Sequence, residues 1–186
     1  MDFFNYYTNY NNYYLPRENT PWILDFTNKS FQYNLNTAVS MIRDSVNDEA
    51  EDAAMYDSLI KIAPNNEAKE IIQNIRDDEK IHNRLLREIF TELTGVVLPQ
   101  NTVTQNYEKT NYIDGIKKSF TGELKAVEKY REILTYMPNK QLYDKILYIM
   151  TDEMKHAMKY NYLITMYLEN KATNVAVTRL KSSDFL

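Results

Sequence analysis

The chain has 186 residues, 26 acidic against 22 basic side chains, a net charge of −4 and a mean hydropathy of −0.58. That is the length of one domain with a substantial core, and the absence of cysteine excludes disulfides, thiol catalysis, iron–sulfur clusters and thiolate zinc sites. No basic block suits nucleic acid, no apolar run approaches the roughly 18 residues of a membrane span, and the start lacks the order of a signal peptide, so a cytoplasmic protein with neither partner is expected.

Residues 1–29 stand apart. Tyr6, Tyr7, Tyr10, Tyr13 and Tyr14 are interleaved with Asn5, Asn9, Asn11 and Asn12, without helical periodicity. They read as an N-terminal arm laid on the domain or on a neighbouring subunit through Trp22, Ile23, Leu24 and Phe26. Asn/Tyr tracts also self-associate, which leaves an assembly segment as the alternative.

Three glycines and five prolines in the whole chain suit long helices. The first is expected from about Ser30, with Ala38, Ile42, Val46, Glu49, Ala53, Tyr56, Ile60 and Ala63 at helical intervals and Pro64 as the stop. Asn65 or Asn66 caps a second, which carries Ile72, Ile75, Glu79, His82, Leu86, Ile89 and Leu93 before Gly95 ends it. Residues 95–109 form a polar connection. A third helix, from about Asn111 to Met137, shows Ile116, Phe120, Glu123, Val127, Tyr130 and Leu134. After Pro138-Asn139 a fourth carries Leu142, Ile146, Ile149, Glu153, His156, Tyr160 and Leu163. Residues 171–186 read as a short tail.

The two halves repeat with an offset of 74 residues. Asp78-Glu79-Lys80-Ile81-His82 returns as Asp152-Glu153-Met154-Lys155-His156, and these runs hold the only two histidines. Glu49 and Glu123 each lie thirty residues before the Glu of their run, and Tyr56 and Tyr130 follow seven residues later. Glu and His three apart share one helix face, about 5–6 Å between Cβ atoms, which is a chelating spacing. Glu49 and Glu79 are balanced about the turn at Pro64, and Glu123 and Glu153 about Pro138, so each pair meets near mid-helix in an antiparallel hairpin. The fifteen-residue connection reaches roughly 50 Å when extended, enough to cross the bundle and start the third helix parallel to the second. All four carboxylates then converge at the centre of a bundle made of two duplicated hairpins, over residues 30–170.

Four buried carboxylates left uncompensated cost several kcal/mol each. Two divalent ions bound by four carboxylates and two neutral imidazoles carry no net charge, and mixed oxygen and nitrogen donors suit Fe or Mn. A lone Glu-x-x-His is common on solvated helix faces; the conjunction of two such runs, two further core glutamates and matched spacings points to metal. Asp78 and Asp152 are placed to accept the outer N–H of a ligand histidine, Asp78 facing His156 and Asp152 facing His82, or else are ordinary surface residues. Tyr56 and Tyr130 are expected to hydrogen-bond a ligand Glu, to serve as plain core aromatics, or to support radical chemistry. Gly122, beside Glu123, gives room or a local distortion, with close helix packing as the plainer account.

With this pattern the chain resembles the ferritin-like superfamily, and in particular its rubrerythrin-like members, over about residues 31–169. The resemblance implies an all-α, antiparallel ferritin-like four-helix bundle with a carboxylate-bridged di-iron centre. Glu79 and Glu153 would bridge the metals, Glu49 and Glu123 would cap them, and His82 and His156 would supply one nitrogen to each. It implies an oxidoreductase acting on peroxide or dioxygen, a peroxidase or ferroxidase, in a homo-oligomer. There is no cysteine-ligated rubredoxin domain, so a separate electron donor is required. The family's additional glutamate, three residues after the third-helix ligand, corresponds to Ala126; its loss makes the site more symmetric and leaves a di-manganese catalase-like enzyme as the alternative. A different class is a metal-stabilised structural or coat protein that assembles through its Tyr-rich arm.

Overall fold

A computed structural model describes residues 29–100, 103 and 111–183, with side chains over 35–100, 103 and 111–174. The N-terminal arm, with its docking or assembly role, lies outside them, as does most of the connection before the third helix. The chain divides into two units, residues 1–34 and 35–186; of the first, the described part is the helical stretch 29–34.

Among the described residues there are four helices and no strand: α1 (Lys29–Ile62), α2 (Asn66–Thr94), α3 (Tyr112–Leu134) and α4 (Lys140–Ser183). The caps explain most of the boundaries. Asn65 Oδ1 accepts the Ala68 N–H at 2.8 Å, Asn111 Oδ1 accepts that of Asp114 at 3.0 Å, and Asn139 Oδ1 accepts that of Leu142 at 2.9 Å. Gly95 ends α2 in the left-handed conformation (φ 71°), its N–H donating to Thr91 O at 2.8 Å. α4 does not stop near Lys171, where a tail was expected. It runs on to Ser183, and no glycine or proline between Lys140 and Ser183 interrupts it.

Cross-helix contacts give the directions. Asn83 Nδ2 donates to Val46 O (2.6 Å) and Arg76 pairs with Asp57 (2.6 Å), so α1 and α2 are antiparallel. Tyr56 meets Glu123 and Lys129 meets Asp48, so α1 and α3 are antiparallel as well. Glu88–Lys145 and Glu67–Tyr162 contacts make α2 and α4 antiparallel. It follows that α2 and α3 point the same way in this four-helix bundle.

The core is split. One apolar cluster gathers Ala38, Ile42, Val46, Leu86, Ile89, Phe90, Ile133, Leu142, Ile146 and Ile149; the other gathers Met55, Leu59, Ile72, Ile75, Ile116 and Leu163. Each fully buried aliphatic chain contributes about 1.5–3 kcal/mol, so these two plugs hold the helices in register. Between them lie buried Glu49, Glu79, His82, Glu123, Glu153 and His156. A polar layer enclosed by apolar packing above and below needs compensation from within itself.

Candidate metal centre

The helical spacing of three puts Glu79 with His82 on the inner face of α2 and Glu153 with His156 on that of α4, while α1 and α3 add Glu49 and Glu123. Their ligand-type atoms form two overlapping groups: Glu49, Glu79, His82 and Glu153, and Glu79, Glu123, Glu153 and His156, each with all atoms within 4.8 Å of one another. Glu79 and Glu153 belong to both. Glu49 and Glu123 belong to one each. The two imidazoles stack with centroids 5.7 Å apart.

His82 Nδ1 lies 3.1 Å from Glu79 Oε2, 3.1 Å from Glu153 Oε1 and 3.8 Å from Glu49 Oε2. His156 Nδ1 lies 3.1 Å from Glu79 Oε1, 3.5 Å from Glu153 Oε2 and 3.6 Å from Glu123 Oε2. The outer nitrogens face carboxylates of the opposite run: His156 Nε2 is 3.0 Å from Asp78 Oδ2, and His82 Nε2 is 3.4 Å from Asp152 Oδ2. An Nε2–H donated to Asp leaves each Nδ1 lone pair aimed into a group of carboxylate oxygens. That arrangement is repulsive unless protons or cations lie between them. Glu79 Oε1, Glu153 Oε1 and His156 Nδ1 are buried and, although close to each other or to His82 Nδ1, none sits in a well-aligned hydrogen bond, so the donor set fits a pair of divalent cations.

The tyrosines cross between the halves. Tyr56 Oη donates to Glu123 Oε1 at 2.6 Å, and Tyr130 Oη donates to Glu49 Oε1. Each half thus orients the outer glutamate of the other.

Protonation follows from crowding. Burial, then the Glu49 charge, pushes the Glu79 carboxyl well above the usual range; burial, then the charges of Glu79 and Glu49, does the same to Glu153. Burial also works to raise Glu49, but hydrogen bonds from Glu79, His82 and Tyr130 outweigh it and hold that carboxyl below its ordinary value. Burial works to lower His156, yet the carboxylates of Glu123 and Glu153 outweigh it and push the imidazole up to about 9. His82 is raised in the same way, by Glu153, Glu49 and Glu79 against burial. The metal-free layer therefore stores protons that cations would displace.

A cleft of about 400 Å³ reaches the layer between α1 and α3, bounded by Asp48, Asp52, Lys118, Gly122 and Lys129 and touching Glu49, Glu123 and Glu153. A Cβ built on Gly122 meets nothing within 4 Å, so this glycine is not there for close helix packing; it opens the cleft wall. Asp52 is a residue that the sequence reading did not single out. It stands one turn after Glu49, and burial, then the charges of Glu49, Glu123 and Asp48, pushes its carboxyl up to about 8. Its position three residues from a ligand-type Glu was the available signal. Its counterpart in the repeat is Ala126, so the duplication has lost its symmetry at this cleft. Buried Ser45 and Ser119, also 74 residues apart, were likewise missed.

No helix among the described residues is long and apolar enough to cross a membrane. No family model, curated protein or solved structure matches the chain.

Proposed function

We propose that this chain is a ferritin-like, rubrerythrin-like metalloprotein that binds two Fe ions in the central layer and acts as an oxidoreductase on peroxide or dioxygen. The observation that carries the proposal is the pair of overlapping buried donor groups with unpartnered Glu79 Oε1, Glu153 Oε1 and His156 Nδ1. Three carboxylates and one imidazole would hold each ion, with Glu79 and Glu153 shared. The antiparallel order, with α2 and α3 parallel, supports the ferritin-like reading. When bound, the pair would supply two electrons for cleaving an O–O bond.

The protein's own groups have separable tasks. Asp78 and Asp152 hold the imidazoles with Nδ1 inward. Tyr56 and Tyr130 orient Glu123 and Glu49 and donate to them. The cleft beside Asp52 admits a molecule as small as peroxide or dioxygen, and the apolar clusters above and below keep bulk water out. Electrons come from a separate donor.

The symmetric donor sets also favour a di-manganese catalase-like reading. Metal content of protein from iron- and manganese-supplemented cells decides between the two, with the optical spectrum of the ferrous form followed as peroxide is added. Two irons per chain and a rapid ferric absorption support the oxidoreductase; two manganese with oxygen release support the catalase. Folded protein that takes up neither metal on reconstitution would overturn both and move weight to a non-catalytic structural role.

A further inference from the structure

The outer faces of the two hairpins differ. Between α3 and α4 runs an open groove of about 770 Å³, lined by Phe120, Leu124, Val127, Met154 and Met158, with Lys125 and Glu128 beside them. Leu124 is 46 % exposed, Met154 51 % and Met158 73 %. On the first hairpin the 74-residue offset puts Ala50 in the place of Leu124, Lys80 in that of Met154 and Arg84 in that of Met158. There Asn83 Nδ2 donates to Val46 O at 2.6 Å, and Arg87 donates to Asn83 Oδ1 at 2.8 Å and to the carbonyls of Leu98 and Pro99 at 3.1 and 2.8 Å. That face is polar and partly covered by its own chain. The α3–α4 face has apolar side chains in place of the charged ones, and among the described residues no segment of chain covers it.

A contiguous apolar patch in a groove marks a contact site, and the charges beside it narrow the partner. Lys125 and Glu128 stand three apart on α3, about 4.5 Å along the helix axis. Lys125 makes no ion pair among the described residues, and Glu128 pairs with Arg131 in the open. In a two-fold contact residue i meets j and j meets i. An axis passing between these two positions therefore sets Lys125 of each copy against Glu128 of the other, twice over. The same face holds both a hollow and the projecting Met158, a flexible, unbranched side chain suited to irregular gaps. In charge and in shape the face complements itself.

We propose that the α3–α4 groove is the contact between two copies of this chain, a two-fold dimer with Leu124, Met154 and Met158 at its centre and two Lys125–Glu128 pairs around them. None of these side chains belongs to the donor groups of the central layer, so the dimer stands whether or not metal binds. A stable contact covers roughly 800 Å² on each partner, more than the groove alone offers. The apolar stripe extends it along α4, where Leu168, 52 % exposed, lies two heptads after Met154 on the same side of the helix.

Sedimentation velocity of the full-length protein between about 1 and 100 μM tests this, with a dimer expected. Met154→Lys and Met158→Arg install the side chains that the first hairpin carries at the equivalent positions. Each should weaken the dimer about 30-fold, with helical content by circular dichroism unchanged because both positions are exposed within one chain. Lys125→Glu should weaken it about tenfold, and Glu128→Lys added to that variant should restore it. Carbodiimide joins an amine directly to a carboxylate; applied to mixed light and heavy isotope-labelled protein, it should link Lys125 of one label to Glu128 of the other. A chain that stays monomeric over the whole range, or a dimer that neither methionine substitution weakens, overturns the proposal. Links from Lys125 that run only to Asp2, Glu18 or Asp25 of the same chain overturn it too, and assign the groove to the N-terminal arm.

Discussion

Replacing Glu79 with glutamine keeps the shape of a side chain that is 1 % exposed and removes the need to protonate it on folding. Without metal this should stabilise the fold. Burial and the neighbouring Glu49 raise the Glu79 carboxyl well above the usual range, and its Oε1 has no hydrogen-bond partner. An unpartnered buried polar atom costs about 1–3 kcal/mol; an amide that donates into the carboxylate group recovers part of it, about 1 kcal/mol. For a chain of this size that is about 2–4 °C in Tm. Metal acts in the opposite sense. Each divalent ion present at a hundred times its Kd stabilises the fold by about 2.7 kcal/mol, so two ions raise the Tm of the unsubstituted chain by roughly 10–20 °C. Because Glu79 lies in both donor groups, Glu79→Gln should lose most of that increment. Calorimetric melting of both proteins in chelator and then with manganese measures the two effects together. A variant that melts lower than the unsubstituted chain in chelator, and gains as much from manganese, refutes the reasoning.

Three further outcomes are expected. In chelator, stability should fall from about pH 5 to pH 9. The raised His156 contributes fully below its unfolded value of 6.5 and loses that contribution as pH rises through about 9, while raised Glu79, Glu153 and Asp52 cost stability once the unfolded chain can release their protons. Lowered Glu49 acts the other way, losing its contribution only as pH falls below 4.5, so the optimum lies in mild acid. Manganese should reverse the trend because its ligands must deprotonate; a metal-free Tm that climbs between pH 5 and 9 contradicts this. Asp152→Asn should weaken metal binding about 10–100-fold, read by competition with a chelating dye, since the outer hydrogen bond of His82 loses its charge. Gly122→Ala should raise Tm by about 2–4 °C, as an exposed helix glycine becomes alanine at about 1 kcal/mol with no clash, while slowing metal uptake through the narrowed cleft. Unchanged uptake in stopped flow would show that metals reach the site another way.

Four helices, a cap at Asn65 or Asn66, the stop at Gly95 and the six side chains that meet in the polar layer were legible in the sequence. Those features are local or periodic: a cap needs a few residues, and a 3.6-residue repeat shows which positions share a face. The duplication carried the reading further, because a 74-residue offset implies near two-fold symmetry, and symmetry brings Asp78 to His156 and Asp152 to His82. Where the symmetry fails, the sequence was silent. Asp52 matches Ala126 and Met158 matches Arg84, so neither belonged to a repeated pattern, and what each touches depends on the facing helix. The end of α4 was misjudged at Lys171 because no core stripe marks the stretch up to Ser183, where only the absence of a breaker keeps the helix going. Tertiary structure alone decided the cleft, the crossing of Tyr56 to Glu123 and Tyr130 to Glu49, and the protons held among the carboxylates. Each of these depends on distances between groups on different helices, and spacing along the chain does not determine them.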